Sequence, residues 1–178
     1  DGSKNYRFVI TQGQKVFMYN NKAKIVSGFK YTQAASPILG TPKHFRVGNR
    51  DYLVFKLEDN TLKILHRVGT DRITVQEKID FSTNEVFLYK NKFTVTNKTG
   101  VLHQIDTNGK LTASNFNLNK DHGMYATSNT LVLMDDNVLS IKGRKVELDL
   151  GVYTKPKIFY IYDKIYVSVT DIQNQKIY

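Results

Sequence analysis

Cysteine and tryptophan are absent from this 178-residue chain, and alanine occurs only five times. Without a thiol there can be no disulfide, zinc-thiolate or iron–sulfur site and no cysteine nucleophile. Alanine is the strongest helix former, whereas Val, Ile, Thr, Tyr and Phe together supply 66 residues, so composition favours sheet over helix. No apolar run approaches the roughly 18 residues of a membrane-spanning helix. With 40% hydrophobic residues and no long polar tract, dominant disorder is excluded and the length suffices for one domain with a real core. No Gly-x-Ser-x-Gly elbow, phosphate-binding loop or dinucleotide fingerprint occurs.

Acid is scarce in the first part of the chain. Of 26 basic and 16 acidic residues, which leave a net +10, residues 1–50 hold nine bases against the single acid Asp1. Gathered on one face, these bases would attract a polyanion. On strands they would instead line solvent-facing positions and sheet edges, where lysine discourages edge-to-edge pairing. Twenty of the 26 bases are Lys and six are Arg, and specific phosphate recognition favours the forked guanidinium, so nucleic acid is disfavoured as partner. The chain starts at Asp1 and stops at Lys176-Ile177-Tyr178, which reads as the middle of a strand. The expectation is a piece of a larger protein.

The period-2 pattern recurs in short runs separated by turn formers. Residues 44–47, 52–57, 61–66 and 72–76 form one set of four, with turns at residues 48–51 and 58–60 and around Gly69. The order returns at 86–89, 92–96, 101–105 and 110–114, and again at 123–127, 130–134, 138–142 and 145–150. Turns such as Lys90-Asn91, Asp106-Thr107-Asn108-Gly109 and Asp135-Asp136-Asn137 carry the residues that accept tight strand reversal. Partial sets flank these three, at 7–10, 15–19 and 23–26, and at 157–161, 164–169 and 176 onward. Third strands begin near Val16, Leu62, Val101, Val138 and Lys176, at separations of 46, 39, 37 and 38. A period near 40 with four strands per unit is the pattern of radial β-repeats, whose units cannot bury both apolar faces alone and so stack.

In the segments 16–26 and 102–111, a hydrophobic strand ends in Asn20 or Asp106, and a turn leads to Lys24-Ile25 or Gly109-Lys110-Leu111. These segments resemble β-propeller blades of the quinoprotein-like and FG-GAP-like kind, and the resemblance runs from about Tyr6 to Tyr178. Departures are definite: WD40 Gly-His and Trp-Asp signatures, quinoprotein Trp docking positions and Asp-x-Asp-x-Asp-Gly calcium loops are all missing. The resemblance implies the fold and a binding role, and it carries no ligand residue across. In style the chain also resembles the tail of a large bacterial envelope protein, which implies an extracytoplasmic or cell-envelope location.

Candidate chemistry is thin. His44, His66, His103 and His122 lie at least 19 residues apart, without the short spacing of a metal site, and the first three fall on predicted strands. Asp135-Asp136, an adjacent carboxylate pair, sits in a turn, as does Glu58-Asp59-Asn60; a calcium role would need acids at alternate positions. Asn97-Lys98-Thr99 fits a glycosylation triplet. Residues 29–42, with Tyr31, Pro37, Gly40 and Pro42, read as a long connection between units and as part of a contact surface. The Lys–aromatic alternation of residues 155–166 suits carbohydrate or protein contact, or plain strand alternation with aromatics inward.

The expectation is an all-β, propeller-like array of four-stranded antiparallel meanders. It forms a single partial propeller domain over 1–178, with three complete and two partial units near 5–28, 43–78, 85–114, 122–150 and 156–178. Its expected role is a non-catalytic interaction or scaffold module that binds a protein or carbohydrate partner through blade loops. No catalytic, cofactor-binding or metal residue is assigned and no cofactor is expected. The alternatives are a hydrolase or lyase propeller with carboxylates at the rim, and a polyanion binder using the basic first third.

Overall fold

Short β-prone runs punctuated by Asx and Gly turns fold into antiparallel strands in the computed structural model, which describes residues 6–178 and places no helix among them. Two turns show the chemistry directly. Lys90 and Asn91 have φ of 50° and 57°, and Lys142 and Gly143 have 49° and 76°, the pair of left-handed residues that matches the twist of a two-residue hairpin. Other turns are built by an Asx side chain. The Asp106 carboxylate accepts the Asn108 and Lys110 N–H groups at 2.8 and 3.0 Å, and Asn20 Oδ1 accepts those of Lys22 and Lys24 at 2.9 and 3.0 Å. Asn97 repeats the device for Thr99 and Val101, so the glycosylation triplet serves as a turn.

The chain divides into two compact units, one ending at Ile79 and the other running from Asp80 to Tyr178. In the first, β1 (Arg7–Gln12) pairs with β2 (Lys15–Asn20). A four-stranded meander follows in the order β3 (Ile38–Val47), β4 (Arg50–Leu57), β5 (Leu62–Leu65) and β6 (Asp71–Ile73). Val16 and Met18 from the hairpin pack with Leu53, Phe55, Leu57 and Leu65 of the sheet.

Two sequence expectations are corrected in this unit. Residues 23–26 do not form a strand; only an isolated bridge joins Ile25 to Tyr19, and the Val26 N–H reaches the Met18 carbonyl at 2.8 Å. Residues 29–42 are not simply a connection. Ile38 to Pro42 lie in β3, whose register shifts between Leu39 and Lys43, with Gly40 at φ 68°. Phe29 and Ala34 are buried in the hydrophobic cluster, so they offer no contact surface. Proline is tolerated here because β3 is an edge strand with a local irregularity.

The second unit holds two four-stranded meanders. The first runs β7 (Phe87–Tyr89), β8 (Lys92–Thr96), β9 (Val101–Ile105) and β10 (Leu111–Asn115); the next runs β11 (Gly123–Ala126), β12 (Leu131–Asp135), β13 (Val138–Ile141) and β14 (Arg144–Glu147). Their facing sides meet through Leu102, Met124 and Leu133, with Phe87, Leu118 and Leu131 packed around them. Two hairpins complete the unit: β15 (Lys157–Ile161) with β16 (Lys164–Ser168), and β17 (Thr170–Asp171) with β18 (Lys176–Ile177). The last strand thus pairs with the continuation beyond β16 rather than with β16 itself. Asp171 is fully buried there and accepts N–H groups from Val152, Gln173 and Asn174. Burial pushes its carboxyl up, but the Asn174 side chain and these backbone donors outweigh that and hold it below the ordinary value.

Candidate interaction groove

The cross-strand register of the β11–β14 meander sets out a floor. Directly opposed residues share a face, so Leu133 on β12, Ser140 on β13 and Lys145 on β14 form one row across the sheet, and Asp135, Val138 and Glu147 form the next. Residues 116–118, which follow β10, stand over this floor, and with Tyr89 they enclose a groove with a volume of about 640 Å³. Its lining mixes Phe116, Leu118, Leu131 and Val138 with Asn117, Asn129, Asn137 and the bases Lys142, Arg144 and Lys145.

The wall is fixed at several points. Asn115 Oδ1 accepts the Asn117 N–H at 2.8 Å, and Asn117 takes φ 52°, a reversal that leaves Phe116 45% exposed. Leu118 packs directly on Gly100. Asn119 then spans the carboxylate pair: its N–H donates to Asp135 at 2.8 Å and its side-chain amide to Asp136 at 2.7 Å. The pair therefore anchors a loop, as its turn position suggests, and Asn119 is the partner that no sequence signal marked.

Behind the wall lies a buried polar network. His122 is 2% exposed; its Nδ1 faces the Asn119 carbonyl at 2.6 Å and its Nε2 faces Thr96 Oγ1 at 2.8 Å. A carbonyl only accepts, so Nδ1 carries the proton, and in the uncharged ring Nε2 accepts from the Thr96 hydroxyl. Thr96 Oγ1 then accepts from Ser82 at 2.8 Å and from the Asn84 amide at 3.1 Å, while Asn84 also donates to the His122 carbonyl and accepts the Met124 N–H. Every member has a partner, the condition under which a buried polar network is stable.

The other histidines are dispersed. His44 is exposed, with Nε2 3.1 Å from Asp51; His66 follows β5 and closes the Thr70 turn through its backbone; half-buried His103 on β9 lies opposite Val95 and Ala113. Among the described residues no three His, Asp or Glu side chains gather in a group fit to hold a metal ion. Asp59 accepts from Thr61 and from the Lys78 ammonium at 2.9 Å, and chiefly the Lys78 bond holds its carboxyl down at about 2. The aromatics of β15 and β16 do not point inward: Phe159 and Tyr166 stack at 5.5 Å and are 45% and 39% exposed.

No protein-family model matches this chain, and no curated protein matches it. Solved structures do share its architecture. The computationally designed Ika8 protein superposes with a TM-score of 0.61 at 12% identity, over 95% of this chain and 59% of its own. BamB from Moraxella catarrhalis, a β-propeller, superposes with a TM-score of 0.57 at 14% identity, over 97% of this chain and 66% of its own. The chain has a β-propeller-like fold. It spans less than two thirds of the length of either structure. In this propeller-like fold the groove lies between successive meanders of one unit. Among the described residues no helix is long and apolar enough to cross a membrane.

Proposed function

We propose that this chain is a non-catalytic interaction module that holds a protein partner in the groove of the 80–178 unit. One observation carries the reading: a half-exposed aromatic, Phe116, is displayed on a wall pinned by Asn119, beside an edge strand whose four residues are all exposed. Aromatic anchors on pre-fixed walls supply binding energy at small ordering cost, and loops on rigid sheets are the usual place for recognition. The Asx turns at Asn20 and Asp106 favour assigning the repeats to the quinoprotein-like or FG-GAP-like kind.

The test is affinity capture from an extract of the native source with the unaltered chain, the groove-filling variant Ser140→Arg, and Tyr162→Arg at a residue 97% exposed outside the groove. The reading expects a protein retained by the unaltered chain and by Tyr162→Arg but lost with Ser140→Arg. Identical capture by all three, or retention of polysaccharide alone, overturns it.

A further inference from the structure

The β11–β14 meander ends in an open edge whose backbone geometry can be read from its register. The Lys142–Gly143 turn is closed by the Ile141–Arg144 pair, so Ile141 with Arg144 and Leu139 with Val146 exchange hydrogen bonds. The same series continues in the Leu148 N–H to the Asn137 carbonyl at 2.9 Å. Lys145 and Glu147 therefore turn their N–H and C=O groups away from β13, to the open edge of the sheet. All four residues of β14 are exposed. An unpaired strand edge beside a groove is a template for one more strand.

The charge on this edge is specific. Lys142, Arg144 and Lys145 lie within four positions, and among the described residues no ion pair engages them. The acids nearby are differently placed: Asp135 and Asp136 already accept from Asn119 at the opposite hairpin turn, and Glu147 sits at the far end of β14. An added strand would continue the rows of the sheet, setting one set of its side chains beside Lys145 on the groove face and the alternate set beside Arg144 on the other, so carboxylates on it would meet bases on both faces.

We infer that an extended, acid-rich segment of the groove's partner protein adds as a strand to β14. This rests on the groove being the partner site. The backbone ladder supplies affinity without sequence preference, and the bases select the sign of the segment's charge.

The experiment uses the full chain and a synthetic peptide of about eight residues, a usual strand length, with Asp at positions on both faces of the strand. Saturating peptide should slow amide exchange at Lys145 and Glu147. N-methylation of its alternate backbone nitrogens, replacement of its Asp by Lys, or the surface variant Lys145→Glu should each weaken binding by about tenfold or more, a loss of about 1.4 kcal/mol. Equal binding of the N-methylated peptide, or protection confined to residues outside β14, overturns strand addition. If the acidic peptide fails to bind while Ser140→Arg still abolishes partner capture, this inference falls and the groove reading stands; if Ser140→Arg leaves capture unchanged, the groove reading itself falls.

Discussion

Leu118 rests on Gly100 so closely that a Cβ at Gly100 would lie 2.6 Å from the Leu118 carbonyl oxygen and 2.7 Å from its backbone nitrogen and Cβ. Gly100 also has φ 77°, a conformation that side chains disfavour. Two independent constraints thus demand glycine at one position, and both serve the groove, because Leu118 is where its wall meets the preceding meander.

Gly100→Ala should destabilise the 80–178 unit by about 2 to 4 kcal/mol, from left-handed backbone strain together with overpacking against backbone atoms. Urea denaturation checks this through a lower midpoint. Truncating Leu118 to Ala in the same chain should recover little, since two of the three close atoms belong to the backbone.

Thr96→Val removes the hydroxyl on which Ser82, Asn84 and His122 converge. The buried amide of Asn84 and the Nε2 of His122 each lose one hydrogen bond, and about 1 to 3 kcal/mol of stability should be lost. Nitrogen NMR of the unaltered chain should show His122 protonated at Nδ1. A Val variant as stable as the parent would contradict the network.

Acid should expose the Asp59–Lys78 pair. The Asp59 carboxyl titrates near 2 in the folded chain against an ordinary 3.8, so its contribution is complete above that ordinary value and is lost as pH falls toward 2. Carbon NMR of the side-chain carboxyl should give a midpoint near 2, and Lys78→Met should raise it toward the ordinary value. Because the Asp59 side chain is 37% exposed, solvent screens the pair and the stability change should be small.

Asn119→Ala frees Asp136 and loosens the clasp on the wall, while the backbone N–H at 119 can still donate to Asp135. The meanders should persist, since their hydrophobic contacts are untouched, while amide exchange at residues 116–118 should accelerate. Exchange at β15 and β16 should stay as it was. Unchanged exchange at 116–118 would show that Leu118 and the backbone bond from residue 119 to Asp135 suffice to fix the wall.

The hairpins were legible in the sequence because their turn chemistry is local: Lys90-Asn91, the Asp106 turn and Asp135-Asp136 each declare a reversal within a few residues. Strand β3 was legible only from residue 44, since Gly40 and Pro42 break the alternation and the register shift that accommodates them is a property of pairing with β4. Burial of Phe29 and Ala34 depends on the β1–β2 hairpin folding over them, a non-local event without period. The groove divides in the same way. Its carboxylate turn could be read, whereas Asn119 draws its role from a loop that meets that turn 16 residues further along the chain. The face of Phe159 and Tyr166 stays open in the sequence because alternation fixes which residues share a face, not which face is covered.

Site-specific photo-crosslinking tests the central claim most directly. A photoreactive side chain placed at Phe116 in the groove wall, in the full chain expressed in its native source, should give a discrete adduct with a partner protein, and the same group at Tyr162 should give none. Equal labelling at both positions, or adducts from Tyr162 alone, would contradict the groove as the partner site.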